Sequence, residues 1–214
     1  LTLTLIETTA ILSALGKAWL VVRTAFTPLE MVAVVFTLIN VWLAIKEKMW
    51  TWPAGIASVL LYLVVFWRSH LYLNAGLQIV YFAMSIHGWY EWLHGGVNKT
   101  ELTITHASAR MWAALLSAGV VMTLVLLWLL RLTAHDASLP IWDAVTTAFS
   151  LVGQYMLNMK IVQNWLIWAI VDVIYVVMFI DQKLYPTAVL YAFFVFLCVK
   201  GLLDWHRSAN ASAS

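Results

Sequence analysis

The chain has 214 residues, of which 64% are hydrophobic and only 10% charged. Soluble domains carry roughly 25% charged residues, so this supply cannot cover a water-facing surface, and a mean hydropathy of +0.89 agrees. A formal net charge of +2 excludes a strongly basic nucleic-acid binder, and the single cysteine, Cys198, has no mate for an internal disulfide. The composition predicts an all-α integral membrane protein.

The N-terminal stretch places Glu7, Lys17 and Arg23 among short apolar runs, so 1–27 is expected to be an interfacial segment and not a span or a signal peptide. Runs of about 20 apolar residues, enough to cross a bilayer, then follow at about 28–46, 50–68, 71–93, 108–131, 142–160, 163–181 and 184–204. They lack the alternation of barrel strands, so seven transmembrane helices are expected. Connections are short at Glu47 to Met49 and at Asp181 to Lys183. Longer polar gaps, His94 to Ala107 and Thr133 to Ile141, set the fourth helix apart. Lys17, Arg23, Arg68, Arg131 and Lys183 fall on the N-terminal side, against Lys46, Lys48, Lys99, Arg110, Lys160, Lys200 and Arg207 on the other. The excess predicts the N-terminus outside and the C-terminus in the cytoplasm.

Sliding the chain along itself until Trp52 meets Trp165 also aligns Tyr62 with Tyr175, Val64 with Val177, Phe66 with Phe179 and Leu71 with Leu184. Tyr72 and Tyr185, Ala75 and Ala188, Leu77 and Leu190, Gly88 and Gly201, and Trp92 and Trp205 continue the series. These are ten identities over positions 52–92, where shared composition alone gives about three or four. Spans one to three map onto spans five to seven, leaving span four as a linker. The expected build is two parallel three-helix repeats in a SWEET-like 3+1+3 order, with substrate between the repeats near the midplane. The boundaries are 28–98 for the first repeat, 99–141 for the linker and 142–214 for the second repeat with its tail.

Asp172 is the one carboxylate in the middle of a span, a position that is costly and therefore a functional candidate. A protonated packing group is the plain alternative. Trp165, Trp168, Asp172 and Tyr175 share a helix face, and Gln154 and Asn158 share a face of the preceding helix. Together they offer aromatic planes, amides and a carboxylate to one cavity. Asn40, Trp52, Gln78 and Tyr81 are the counterparts in the first repeat. Tryptophans also serve as interface belts and amides as glue between helices. The histidines lie near span ends or in loops without ligand spacing, so no metal site is expected. No nucleophile-and-base set points to an enzyme. A retinal Schiff base would need a lysine well inside the last helix, and Lys200 is near its end.

Four segments carry a resemblance: Trp52-Pro-Ala-Gly55; Gln154-Tyr-Met-Leu-Asn158; Asn164-Trp-Leu-Ile-Trp168 followed by Asp172 and Tyr175; and Leu184-Tyr-Pro-Thr-Ala-Val-Leu-Tyr191. Over about residues 28–207 the chain resembles the PnuC family of bacterial vitamin transporters, specifically its nicotinamide riboside type. It departs where the family's Trp-Trp-x-x-Trp pattern reads Asn164-Trp-Leu-Ile-Trp168. The resemblance implies an inner-membrane homotrimer without cofactor that carries nicotinamide riboside by facilitated diffusion, trapped by cytoplasmic phosphorylation. It leaves thiamine or riboflavin as alternative cargo. Proton coupling through Asp172 is the other alternative. The cationic ring of nicotinamide riboside would suit the aromatic faces, and its amide and hydroxyls would suit Gln154, Asn158, Asn40 and Gln78.

Overall fold

The computed structural model describes Gly16 and residues 27–68, 72–133 and 140–213. The expected interfacial segment 1–27, apart from Gly16 and Thr27, lies outside the described residues, as do His70 and His135. The described chain forms seven α-helices: α1 Pro28–Ile45, α2 Thr51–Arg68, α3 Tyr72–His94, α4 Ala109–Thr133, α5 Pro140–Asn158, α6 Asn164–Asp181 and α7 Tyr185–Ala213.

Local chemistry sets several of the ends. Pro28 opens α1, where its missing N–H costs nothing. Thr27 caps it through a reciprocal pair: Glu30 N donates to Thr27 Oγ1 at 3.3 Å and Thr27 N to Glu30 Oε2 at 2.6 Å. The turns after α1, α5 and α6 reverse through Glu47, Lys160 and Lys183, all in the left-handed region at φ 53°, 47° and 61°. Between α3 and α4 the chain returns along the α5–α6 turn, with Thr105 N donating to Lys160 O at 3.0 Å and Val162 N to Thr105 O at 2.9 Å.

Consecutive helices pack in two sets, α1–α2–α3 and α5–α6–α7. The sets meet where α3 packs on α5 and α1 on α7, while α4 packs mainly on α5. Five helices, α1, α2, α4, α6 and α7, are long and apolar enough to cross a membrane. The other two, α3 and α5, carry Asn74, Gln78, Ser85, His87 and Glu91, and Asp143, Thr146, Ser150, Gln154 and Asn158. They are also the pair that joins the two sets, so much of this polarity is turned inward and not toward lipid.

The last helix runs beyond the expected end at 204, to Ala213. Apolar runs mark where lipid ends, not where the helix ends: Trp205 and Ala209, four apart, stay buried in the polar last turns. Lys200 is therefore well inside α7, but its ammonium is tied to Asp204 at 3.1 Å.

The main core gathers Trp52, Trp92, Trp165 and Trp205 with Ala44, Ile45, Val162, Leu197 and Cys198, at the end where α1 passes into α2 and α5 into α6. Four tryptophans thus form a buried plug, a role distinct from that of an interface belt. Trp50, Trp67 and Trp128 are exposed, as a belt requires.

Candidate functional site

A cavity of about 200 Å³ opens inside the first helix set and is closed by α5 and α6. From α1 it takes Thr37 and Asn40; from α2, Thr51, Trp52, Gly55, Ser58, Val59 and Tyr62; from α3, Gln78, Tyr81 and Ser85. Gln154 and Leu157 of α5 and Trp168 of α6 complete the wall. None of these residues is Asp, Glu, Lys, Arg or His.

The polar groups are held by bonds to neighbouring helices. The Thr37 and Ser58 hydroxyls lie 2.6 Å apart, and both reach the Ala33 carbonyl, at 3.0 and 3.2 Å. Thr51 Oγ1 donates to the Asn40 carbonyl at 3.0 Å and stands 3.2 Å from Asn40 Oδ1, steering that amide. Gln154 Nε2 donates to Asn158 Oδ1 at 3.0 Å, and Asn158 Nδ2 donates to the Met84 carbonyl of α3 at 2.8 Å. The Trp52 indole N–H is buried without a protein acceptor, as is that of Trp165. A buried donor in this condition costs free energy unless something accepts from it.

Of the residues expected from sequence, Asn40, Trp52, Gln78, Tyr81, Gln154 and Trp168 come together on this cavity. Asn158, Trp165, Asp172 and Tyr175 are not in its wall. Asn158 is fully buried just behind it, holding Gln154. Trp165 belongs to the tryptophan plug. Asp172 is buried and accepts from the Cys198 thiol at 3.6 Å. Tyr175 stacks with Phe179 at 5.9 Å and leans on Tyr191 at 4.9 Å. Thr37, Thr51, Gly55, Ser58, Val59, Tyr62, Ser85 and Leu157 were not expected. The hydroxyls were legible: Thr37 and Ser58 are polar groups in the middle of apolar spans, where a partner is obligatory.

The pattern follows the repeat. Trp165, Trp168, Asp172 and Tyr175 are the repeat mates of Trp52, Gly55, Val59 and Tyr62, all four of which line the cavity. The equivalent positions on the facing helix of the second set both carry aromatic rings. Tyr191 stands where α3 has Gln78, and Phe194 where it has Tyr81, and the two rings pack at 5.7 Å. Phe179 closes on Tyr191 at 5.1 Å. Bulk in one repeat and amides in the other set the wall of this cavity apart from the equivalent positions of the second set.

A helical membrane bundle around a small, largely apolar cavity with uncharged polar groups in its wall suits a solute carrier. Residues 27–207 match the family described as nicotinamide mononucleotide transporter. The chain belongs to this family, PnuC among its members; it is a multi-pass membrane transporter and not an enzyme. It is 29% identical over 210 residues to the nicotinamide riboside transporter PnuC of Escherichia coli (strain K12), covering 87% of this chain and 88% of that one. Identity to the riboflavin/roseoflavin transporter RibM of Streptomyces davaonensis is 26% over 178 residues, covering 82% and 83%. The fold matches a crystal structure of the vitamin B3 transporter PnuC with a TM-score of 0.72 at 24% identity, over 96% of this chain and 92% of that one.

Proposed function

We propose that the protein is a vitamin transporter that carries nicotinamide riboside by facilitated diffusion across the bacterial inner membrane, with phosphorylation in the cytoplasm trapping it. The observation that carries this reading is a cavity lined by amides, hydroxyls and aromatic rings and by no Asp, Glu, Lys, Arg or His. The indoles of Trp52 and Trp168 suit a pyridinium ring. Asn40, Gln78 and Gln154 suit a carboxamide and ribose hydroxyls, which such groups reject analogues for lacking. The nicotinamide riboside transporter PnuC of Escherichia coli, similar over most of both chains, supports the same cargo.

The architecture we read is 3+1+3: repeats 28–98 and 142–214 joined by the linker 99–141. Packing of α1–α2–α3 and α5–α6–α7 supports it, with α4 held mainly by α5. The matched stacks Tyr62 on Phe66 at 5.7 Å and Tyr175 on Phe179 at 5.9 Å support it too. We place the N-terminus outside and the C-terminus in the cytoplasm, in a homotrimer.

A phosphate dianion entering a cavity without a cation loses hydration that nothing replaces. Nicotinamide mononucleotide is therefore expected to bind about 1,000-fold more weakly than the riboside. Calorimetry of the purified protein against both, with thiamine and riboflavin alongside, checks it. Equal binding of the nucleotide sinks the proposal, and tighter binding of thiamine or riboflavin reassigns the cargo. Uptake into liposomes is expected to stop at equal concentrations with or without a proton gradient, since Asp172 is bonded to Cys198 outside the cavity wall. Accumulation driven by the gradient would establish proton coupling instead.

A further inference from the structure

At the end where α1 passes into α2 and α5 into α6, the two helix sets exchange their contacts. Trp92 Nε1–H, on α3, donates to the Leu157 carbonyl in the last turn of α5 at 3.1 Å. Trp205 Nε1–H, on α7, donates to the Ala44 carbonyl in the last turn of α1, also at 3.1 Å. The two donors are repeat mates, and so are the two acceptors. The third helix of each set thus holds down the first helix of the other. Where the sets meet, the two indoles face each other at 6.0 Å between centroids. Trp52 meets Trp92 edge-on at 5.2 Å, and Trp165 meets Trp205 edge-on at 5.4 Å.

Glu47 and Lys160 are also repeat mates and occupy the same left-handed turn position in each set. Lys160 Nζ lies 3.8 Å from Glu47 Oε2 and 4.5 Å from the centre of the Trp92 ring. A repeat that kept one residue type at this position would bring like charges together there. These two have diverged into an attractive pair.

Trp52 belongs both to this plug and to the cavity wall. The plug therefore stands between the cavity and this face of the membrane, and a solute leaving by this face must part it. We infer that Glu47 with Lys160, and Trp92 with Trp205, form the gate of this face, a latch that breaks and remakes in each transport cycle. The inference rests on the cavity being the solute path. The strengths suit the task. The two indole–carbonyl bonds are each modest in net terms, and the Glu47 carboxylate of the ion pair stays 33% exposed although Lys160 is buried, so water can take up one partner as the latch opens. Burial lowers the pKa of the Lys160 ammonium, while Glu47 and then Glu101 raise it, so the charge at this site depends on its partners.

The test uses a reporter thiol in the cavity, Ser58→Cys in a Cys198→Ala background, labelled with a membrane-impermeant maleimide in right-side-out and inverted vesicles. Neutralising the latch as Glu47→Gln with Lys160→Gln is expected to speed labelling from the α1–α2-turn face about tenfold. Labelling from the opposite face should not rise. The exchanged pair, Glu47→Lys with Lys160→Glu, should restore slow labelling. Trp92→Phe, which keeps a ring and loses the donor, should give a smaller rise on the same face. Equal acceleration from both faces would mean general loosening and would overturn the gate. So would no change, or a failure of the exchanged pair to restore slow labelling. No labelling of the reporter thiol in any variant from either face would instead overturn the cavity as the path, and the gate with it. Labelling needs no substrate, so a mistaken cargo leaves the result standing.

Discussion

Gly88→Ala is expected to weaken solute binding about 100-fold, whereas the same change at its repeat mate, Gly201→Ala, leaves affinity nearly unchanged. Both glycines let a helix approach an indole. A methyl at Gly88 would overlap the Trp52 ring and come within 2.6 Å of Asn158 Oδ1; at Gly201 it would come within 2.5 Å of the Trp165 ring. Overpacking of this kind costs roughly 1–3 kcal/mol, so both variants should melt earlier than wild type. The difference lies in what the displaced indole does. Trp52 is wedged edge-on against Trp92, and the open space it borders is the cavity. Its retreat fills the site and also strikes the amide that holds Gln154. Trp165 is not in the wall of that cavity, so its displacement is expected to cost stability alone. Calorimetry paired with a thermal melt on each variant separates the two effects. An equal loss of affinity in both would place part of the binding site in the second helix set.

That contrast also shows what the sequence made legible. The seven helices followed from apolar runs and polar breaks, because lipid allows only backbones that satisfy themselves. Their ends were read within a few residues except at α7, where Trp205 and Ala209 continue a helix that has already left the apolar zone. The repeat was visible in Trp52 and Trp165 and in Trp92 and Trp205, yet identity alone did not say that these residues would plug one end together. The candidate site was half legible. Asn40, Trp52, Gln78, Tyr81, Gln154 and Trp168 reach one cavity. The face bearing Trp165, Trp168, Asp172 and Tyr175 was read as a cavity wall in its own right, and of these four Trp168 reaches the cavity, while their repeat mates Trp52, Gly55, Val59 and Tyr62 all line it. What helical periodicity could not supply is which repeat keeps its space open. That depends on whether Gln78 or Tyr191, and Tyr81 or Phe194, stands on the facing helix, a contact between segments far apart in the chain.

Asn158→Ala is expected to lower affinity by about 100-fold although Asn158 is not in the cavity wall. Its amide is fully buried and works in two directions, accepting from Gln154 Nε2 at 3.0 Å and donating to the Met84 carbonyl at 2.8 Å. It thereby joins α5 to α3 and fixes the rotamer of a cavity amide. Truncation leaves the Gln154 donor without its partner in an apolar setting, at a cost of about 1–3 kcal/mol, and frees that side chain to turn away from the solute. A direct and a positioning role are separable by a double-mutant cycle. If Asn158 acts through Gln154, then Gln154→Ala should lose a similar amount, and the double variant little more than either single change. Calorimetric affinities for the four proteins give the coupling energy. Additive losses would mean that Asn158 serves binding independently of Gln154, through the α3 contact at Met84, and would overturn the positioning role.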